Sequence, residues 1–217
     1  MRLHIGSHQG RLTSNGINLV IYRIQLLYYS KIKKMKEKII SKTKHVEHVV
    51  RTADSFNREV IKLPLGGQVL PYFKDAQGAW QAVLVSQYRM ALKKKTFEAS
   101  GGRIDKGETP REALSRELKE ETGLYVKPQS IKIVLEEYPI PSLVDTRVFG
   151  GIVKINARMV KNKKKRDSGN GERTQVEIFN LKDLIGKREA GTIKIDLMTS
   201  RLIDEVAKTA GLLVKKY

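Results

Sequence analysis

Cysteine is absent from the 217 residues, and that absence closes several chemical routes at once. No disulfide, thiol nucleophile or thiolate-bound metal is available, so any metal must sit on oxygen or on the four histidines. A chain without cysteine fits a reducing compartment, and the cytoplasm is the expected location. Acidic residues are missing from the first 36 positions, which carry seven Lys and Arg. Long apolar runs are also missing. The best stretch, Ile17 to Tyr29, is interrupted by Arg23 and falls short of the roughly 20 residues that a membrane-spanning helix needs. No membrane partner is expected.

What is present is basic charge and enough apolar residue for one core. The formal net charge is +19 and the sequence pI is near 10.0, a balance that attracts phosphate-bearing partners such as nucleotides, RNA or an anionic surface. A hydrophobic content of 40% over this length suits a single buried domain with an appendage. The boundary is placed between a basic N-terminal extension, residues 1–45, and a folded domain, residues 46–217. Three readings of the extension stand side by side: an organelle transit segment, for instance mitochondrial; an upstream start with Met35 as the functional one; or a disordered tail.

Within the domain, short apolar runs alternate with turn signals. Strands are expected at Glu59 to Leu63, Gln68 to Phe73, Trp80 to Gln87, Ile131 to Glu136 and Arg147 to Ile155. Lys74-Asp75-Ala76-Gln77-Gly78 reads as a hairpin turn. Helices are expected at Pro110 to Thr122 and about Asp196 to Ala210. Lys161 to Arg173 reads as a polar loop, with five basic residues in its first six positions. Trp80, Tyr88 and Phe97 are assigned to the core before they are assigned to base stacking.

The chemistry is concentrated between Gly102 and Leu124. Thr109 is a suitable N-cap, Pro110 suits the first helical position, Glu112 completes a capping box, and Gly123 closes the helix. Glu117, Glu120 and Glu121 stand at i, i+3 and i+4, on one face and in the last turns. There they repel each other and oppose the helix dipole, at a cost of several tenths to about 1 kcal/mol each. A hard divalent cation relieves both problems, because Mg²⁺ prefers carboxylate oxygen. Leu114 and Leu118 would pack this helix on the sheet, and Arg116 is spaced to pair with Glu112 and Glu120. A solvated acidic helix is the plainer alternative.

Gly102, then Glu108, then Arg116-Glu117-Leu118-Lys119-Glu120-Glu121-Thr122-Gly123-Leu124 resembles the Nudix box at every defined position. The flanks are similar to the ADP-ribose pyrophosphatase branch of that superfamily. The similar segments are Gln87-Tyr88-Arg89, Glu98-Ala99-Ser100-Gly101-Gly102-Arg103-Ile104-Asp105, prolines 139 and 141, and Gly191 to Asp196.

The resemblance implies an α/β fold: an α/β/α sandwich with a mixed sheet and a loop-helix-loop metal site. It also implies Mg²⁺, with Mn²⁺ as a substitute, held by Glu117, Glu120, Glu121 and the backbone of Gly101. Arg89 and Glu98 are then substrate-binding. The expected reaction cleaves the diphosphate of ADP-ribose or a related nucleoside diphosphate sugar; a homodimer follows by analogy. Other readings are a Nudix enzyme acting on RNA 5′ ends or other nucleotides, and a non-catalytic RNA-binding Nudix module. Three positions depart from the branch: Ser100, Ser142, and Thr174 in place of a base-supporting glutamate. Glu172, two residues earlier, is the candidate to fill that role.

Overall fold

The computed structural model describes residues 35–53, 56–160 and 174–212. The basic segment 1–34, the loop 161–173 and Glu172 within it lie outside the described residues. The chain divides into two compact units, Met1–Ile61 and Lys62–Tyr217.

In the first unit, β1 (Lys36–Lys42), β2 (Glu47–Ala53) and β3 (Phe56–Lys62) follow one another in a sheet. β1 and β2 are antiparallel, with Lys36 opposite Thr52, Lys42 opposite Glu47 and an irregularity between Ile39 and Ser41. Thr43 makes the turn, its N–H donating to the Val46 carbonyl at 2.8 Å. Every residue of β1 is exposed, which is why hydrophobic alternation gave no sign of this strand.

The second unit holds β4 (Gly66–Lys74), β5 (Trp80–Arg89), β6 (Lys94–Glu98), β7 (Ser100–Arg103), β8 (Lys132–Glu137), β9 (Val144–Asp145), β10 (Val148–Lys154) and β11 (Gln175–Asn180). Three helices join them: α1 (Pro110–Thr122), α2 (Leu181–Glu189) and α3 (Leu197–Thr209). Its main sheet runs β11-β5-β4-β10-β8. β10 lies parallel to β4, and the other pairings on this path are antiparallel, so the sheet is mixed as expected.

Helices cover both faces of this sheet, and the strands show it by alternation. Val69, Val83 and Val153 point to the layer that holds Leu114 and Leu118 of α1. Their neighbours Leu70, Leu84 and Ile152 point to the opposite layer, with Leu181 and Leu184 of α2 and Leu202, Ile203 and Val206 of α3. Each fully buried aliphatic side chain contributes about 1.5–3 kcal/mol, so two such layers fix which face each strand residue takes.

One departure from a plain sheet positions the site. The start of β4 pairs with β7, Gly66 to Arg103 through Val69 to Ser100, while its end pairs with β5. The end of β5 pairs instead with β6, Val85 to Glu98 through Arg89 to Lys94. The β6–β7 segment is thus a wedge between two strands that separate to receive it. Ala99, at the point of the wedge, donates its N–H to Thr199 Oγ1 of α3 at 2.8 Å.

The structure changes several expectations. The strands near 59, 68, 80, 131 and 147 are all present, and the turn at Asp75 forms, its carboxylate accepting from Gln77 N and Ala79 N. β6 and α2 were not expected. β6 is short and lysine-rich, and α2 carries Gly186 in its middle, so neither shows a clean apolar period. Trp80 and Phe97 pack against the α2–α3 layer, but Tyr88, assigned to the core, is 59% exposed.

Candidate active site

Local sequence makes α1 where the spacing predicts it. Thr109 Oγ1 accepts from Glu112 N, the Glu112 carboxylate accepts from Thr109 N at 2.9 Å, and Gly123 closes the helix at φ 69°. Leu114 and Leu118 are buried against the sheet, which aims the acidic flank of the last turns at β7.

The three glutamates of that flank are not equivalent. Glu121 is buried, and its carboxylate accepts the N–H of Gly101 at 3.0 Å. Glu117 is 15% exposed at its side chain and receives Arg116 Nη1 at 2.7 Å. Its carboxylate fills the space that a β-carbon on Gly102 would occupy, so any side chain there would displace the end of Glu117. A β-carbon on Gly101 would instead meet the Gly67 carbonyl and Gln68 Cα of the backbone, and glycine is required at 101. Glu120 turns outward, 53% exposed, with Arg116 Nη1 at 3.4 Å.

Arg116 holds the loop to the helix. It donates Nε and Nη2 to the two oxygens of Glu108 at 3.0 Å each, and Nη2 also reaches the Arg103 carbonyl. Its expected partner Glu112 is taken up by the capping box, so Arg116 pairs with Glu108, Glu117 and Glu120. The guanidinium of Arg116 holds the Glu108 carboxyl below the usual carboxylate range.

Arg89 and Glu98, both expected at the substrate, are bound to each other. Arg89 Nε donates to Glu98 at 2.9 Å, and Nη2 makes the second arm of a fork. Glu98 is 4% exposed and also accepts from Thr96 Oγ1 at 2.6 Å and Gln87 Nε2 at 3.2 Å. Burial pushes Glu98 up, but these hydrogen bonds and the Arg89 charge outweigh it, so the carboxyl lies below its ordinary value. Thr96 was missed from sequence. Period-two spacing from Glu98 would have found it, and also Lys94.

The α1 carboxylates are displaced the other way. Burial raises Glu117 against the opposing pull of Arg116. Burial, with the negative charges of Glu117 and Glu98, pushes Glu121 up to about 8 against the Gly101 hydrogen bond. Among the described residues no three acidic or histidine side chains already converge as a metal-binding group. The donors nonetheless suit a hard cation, since all are oxygens. Among the described residues Glu121 is a buried carboxylate with no ion pair, and the half-buried Glu117 has Arg116 as its one cationic neighbour. Glu120 stands at the outer margin of this set.

Beside Glu98 opens a cavity of about 720 Å³, lined in part by Gln68, Arg89, Lys94, Glu98, Lys194 and Asp196. Three of these side chains are cationic. Thr174, just before β11, is 3% exposed and its hydroxyl has no hydrogen-bond partner.

Comparison with known proteins agrees with this architecture. The family model of the NUDIX domain matches residues 68–197, and the chain belongs to the Nudix family. It is 26% identical over 164 residues to the ADP-ribose pyrophosphatase of Bacillus subtilis, covering 71% of this chain and 84% of that protein. A putative nudix hydrolase 2 of Caenorhabditis elegans is 52% identical over 60 residues, 28% of this chain and 25% of that protein. The methanol dehydrogenase activator of Bacillus methanolicus is 33% identical over 93 residues, 36% of this chain and 50% of that protein. The chain thus spans a quarter and a half of the lengths of the latter two.

Proposed function

We propose that this Nudix protein hydrolyses the diphosphate bridge of ADP-ribose or a related nucleoside diphosphate sugar, releasing a nucleoside monophosphate and a sugar phosphate. The observation that carries this reading is the pair of carboxylates at the end of α1, half-buried Glu117 against Gly102 and buried Glu121 on the Gly101 N–H. Both glycines lie on the same strand segment as Glu98, at the wall of a cavity with cationic lining. The likeness to the Bacillus subtilis ADP-ribose pyrophosphatase, over most of both chains, supports the substrate class.

Glu117 and Glu121 would hold the cation, with Glu120 and the Gly101 backbone supporting them. Magnesium, or manganese in its place, supplies neutralisation of diphosphate charge and activation of water when bound. The chain's own residues do the rest. Arg116 fixes the direction of Glu117, and the Glu98 carboxylate fixes the Arg89 fork at the cavity wall, where the guanidinium binds phosphate charge. A loop carboxylate, with Glu172 as the candidate, would aid removal of the proton from the attacking water.

A second reading, action on RNA 5′ ends, is favoured by the net charge of +19. Both are tested by incubating the protein and Mg²⁺ with ADP-ribose, other nucleotide sugars, dinucleotides and triphosphate-ended RNA, and identifying the products. Monophosphate and sugar phosphate from the first two support the proposal. Turnover of RNA alone, weakening steeply as salt rises, replaces it with the second reading.

A further inference from the structure

Ser100 is fully buried, and its hydroxyl makes no hydrogen bond. Among the described residues Thr174 Oγ1 is the one other buried side-chain atom in that condition. Buried polar atoms in folded proteins are nearly always satisfied, so an orphan calls for a water, an ion or a ligand.

The position of Ser100 says which. Its cross-strand partner Val69 packs into the α1 layer, so the Ser100 side chain faces α1. Ala99 packs into the opposite layer, which places Glu98 and Ser100 on one face, and Gly102 continues that row. Glu98 at one end is turned to Arg89, Thr96 and Gln87. Gly102 at the other lies beneath Glu117, and the neighbouring Gly101 N–H is bonded to Glu121. Ser100 therefore occupies the middle of the acidic row and bonds to neither carboxylate of α1.

We propose that the Ser100 hydroxyl belongs to the cation site of α1, giving a neutral oxygen to the ion or to its innermost water. The inference rests on the cation reading of Glu117 and Glu121 given above. A neutral donor is chemically suited to this place, because it completes the oxygen shell of a hard cation without adding charge beside Glu98, Glu117 and Glu121. A merely space-filling role would leave the hydroxyl no purpose, since alanine fills the same corner.

The test is Mn²⁺ binding without substrate, followed by electron paramagnetic resonance of the free ion, in wild type, Ser100→Ala and Glu121→Gln. Wild type is expected to bind, Glu121→Gln to lose binding, and Ser100→Ala to weaken it about tenfold. Thermal melting in chelator adds a readout that a structural role moves in the opposite sense. Ser100→Ala should melt at or above wild type there, because without an ion its hydroxyl bonds to nothing. Mn²⁺ affinity of Ser100→Ala within about twofold of wild type, or a lower melting temperature in chelator, overturns the inference. If wild type itself binds no Mn²⁺, the cation reading fails and this inference falls with it.

Discussion

The carboxylate of Glu117 stands where a side chain on Gly102 would have to be. The atoms that a methyl group on Gly102 would meet most closely all belong to the end of that side chain, and none to the helix backbone. Gly102→Ala should therefore push Glu117 off β7 and lower divalent-cation affinity at least about tenfold, with the fold kept. Titration calorimetry with Mn²⁺, paired with far-UV circular dichroism, checks both halves.

Arg89 and Glu98 make a second prediction through their shared fork. Arg89→Ala leaves the Glu98 carboxylate buried without its charge partner and should cost about 1–3 kcal/mol of stability. Adding Glu98→Gln removes the stranded charge and should restore much of that loss without restoring turnover. Urea unfolding and nucleotide-sugar hydrolysis of the two variants separate stability from phosphate binding. Equal stability of the single and double variants would argue against the stranded-charge account.

Acid should weaken the loop that Arg116 secures. The Glu108 carboxyl is depressed by its hydrogen bonds from Arg116, so the folded state holds its proton less tightly than the unfolded chain. For a depressed carboxylate, the stabilisation is complete above the unfolded value of about 4.5 and disappears as pH falls through the lower folded value. Melting temperature measured in chelator should fall from pH 5 towards pH 3, and less steeply in Glu108→Gln. A variant with the same acid limb as wild type would show that this pair contributes nothing.

The α1 layer makes a prediction independent of chemistry. Leu118 is fully buried among Val69, Val83 and Leu114, so Leu118→Ala should cost about 2–5 kcal/mol. Denaturant unfolding reads this as a lower midpoint.

The sequence showed α1 with its ends because its signals are local: a capping box, a proline and a C-terminal glycine lie within 15 residues. That Glu117, Glu120 and Glu121 share one flank was legible for the same reason, from i, i+3 and i+4 spacing, whereas the burial of Glu121 and the exposure of Glu120 were not. What could not be read was non-local. Arg116 stands four residues from Glu112 and eight from Glu108, yet loop geometry gives it Glu108. The pairing of Arg89 with Glu98 depends on the β5–β6 register, which no periodicity reports. Glu172 falls outside the described residues, and Thr174, two positions later in the sequence, is a buried hydroxyl without a partner.

The peg from Ala99 to Thr199 reaches through the seam where β4 and β5 part. Its anchor is tied further, with Thr199 Oγ1 3.1 Å from Gln68 Oε1 and its N–H bonded to Asp196. The residue between Glu98 and Ser100 is thereby gripped from behind by a helix that shares no layer with the carboxylates. A substitution at Thr199 would therefore loosen the backbone between Glu98 and Ser100 from the far side of the sheet, without touching either carboxylate of α1.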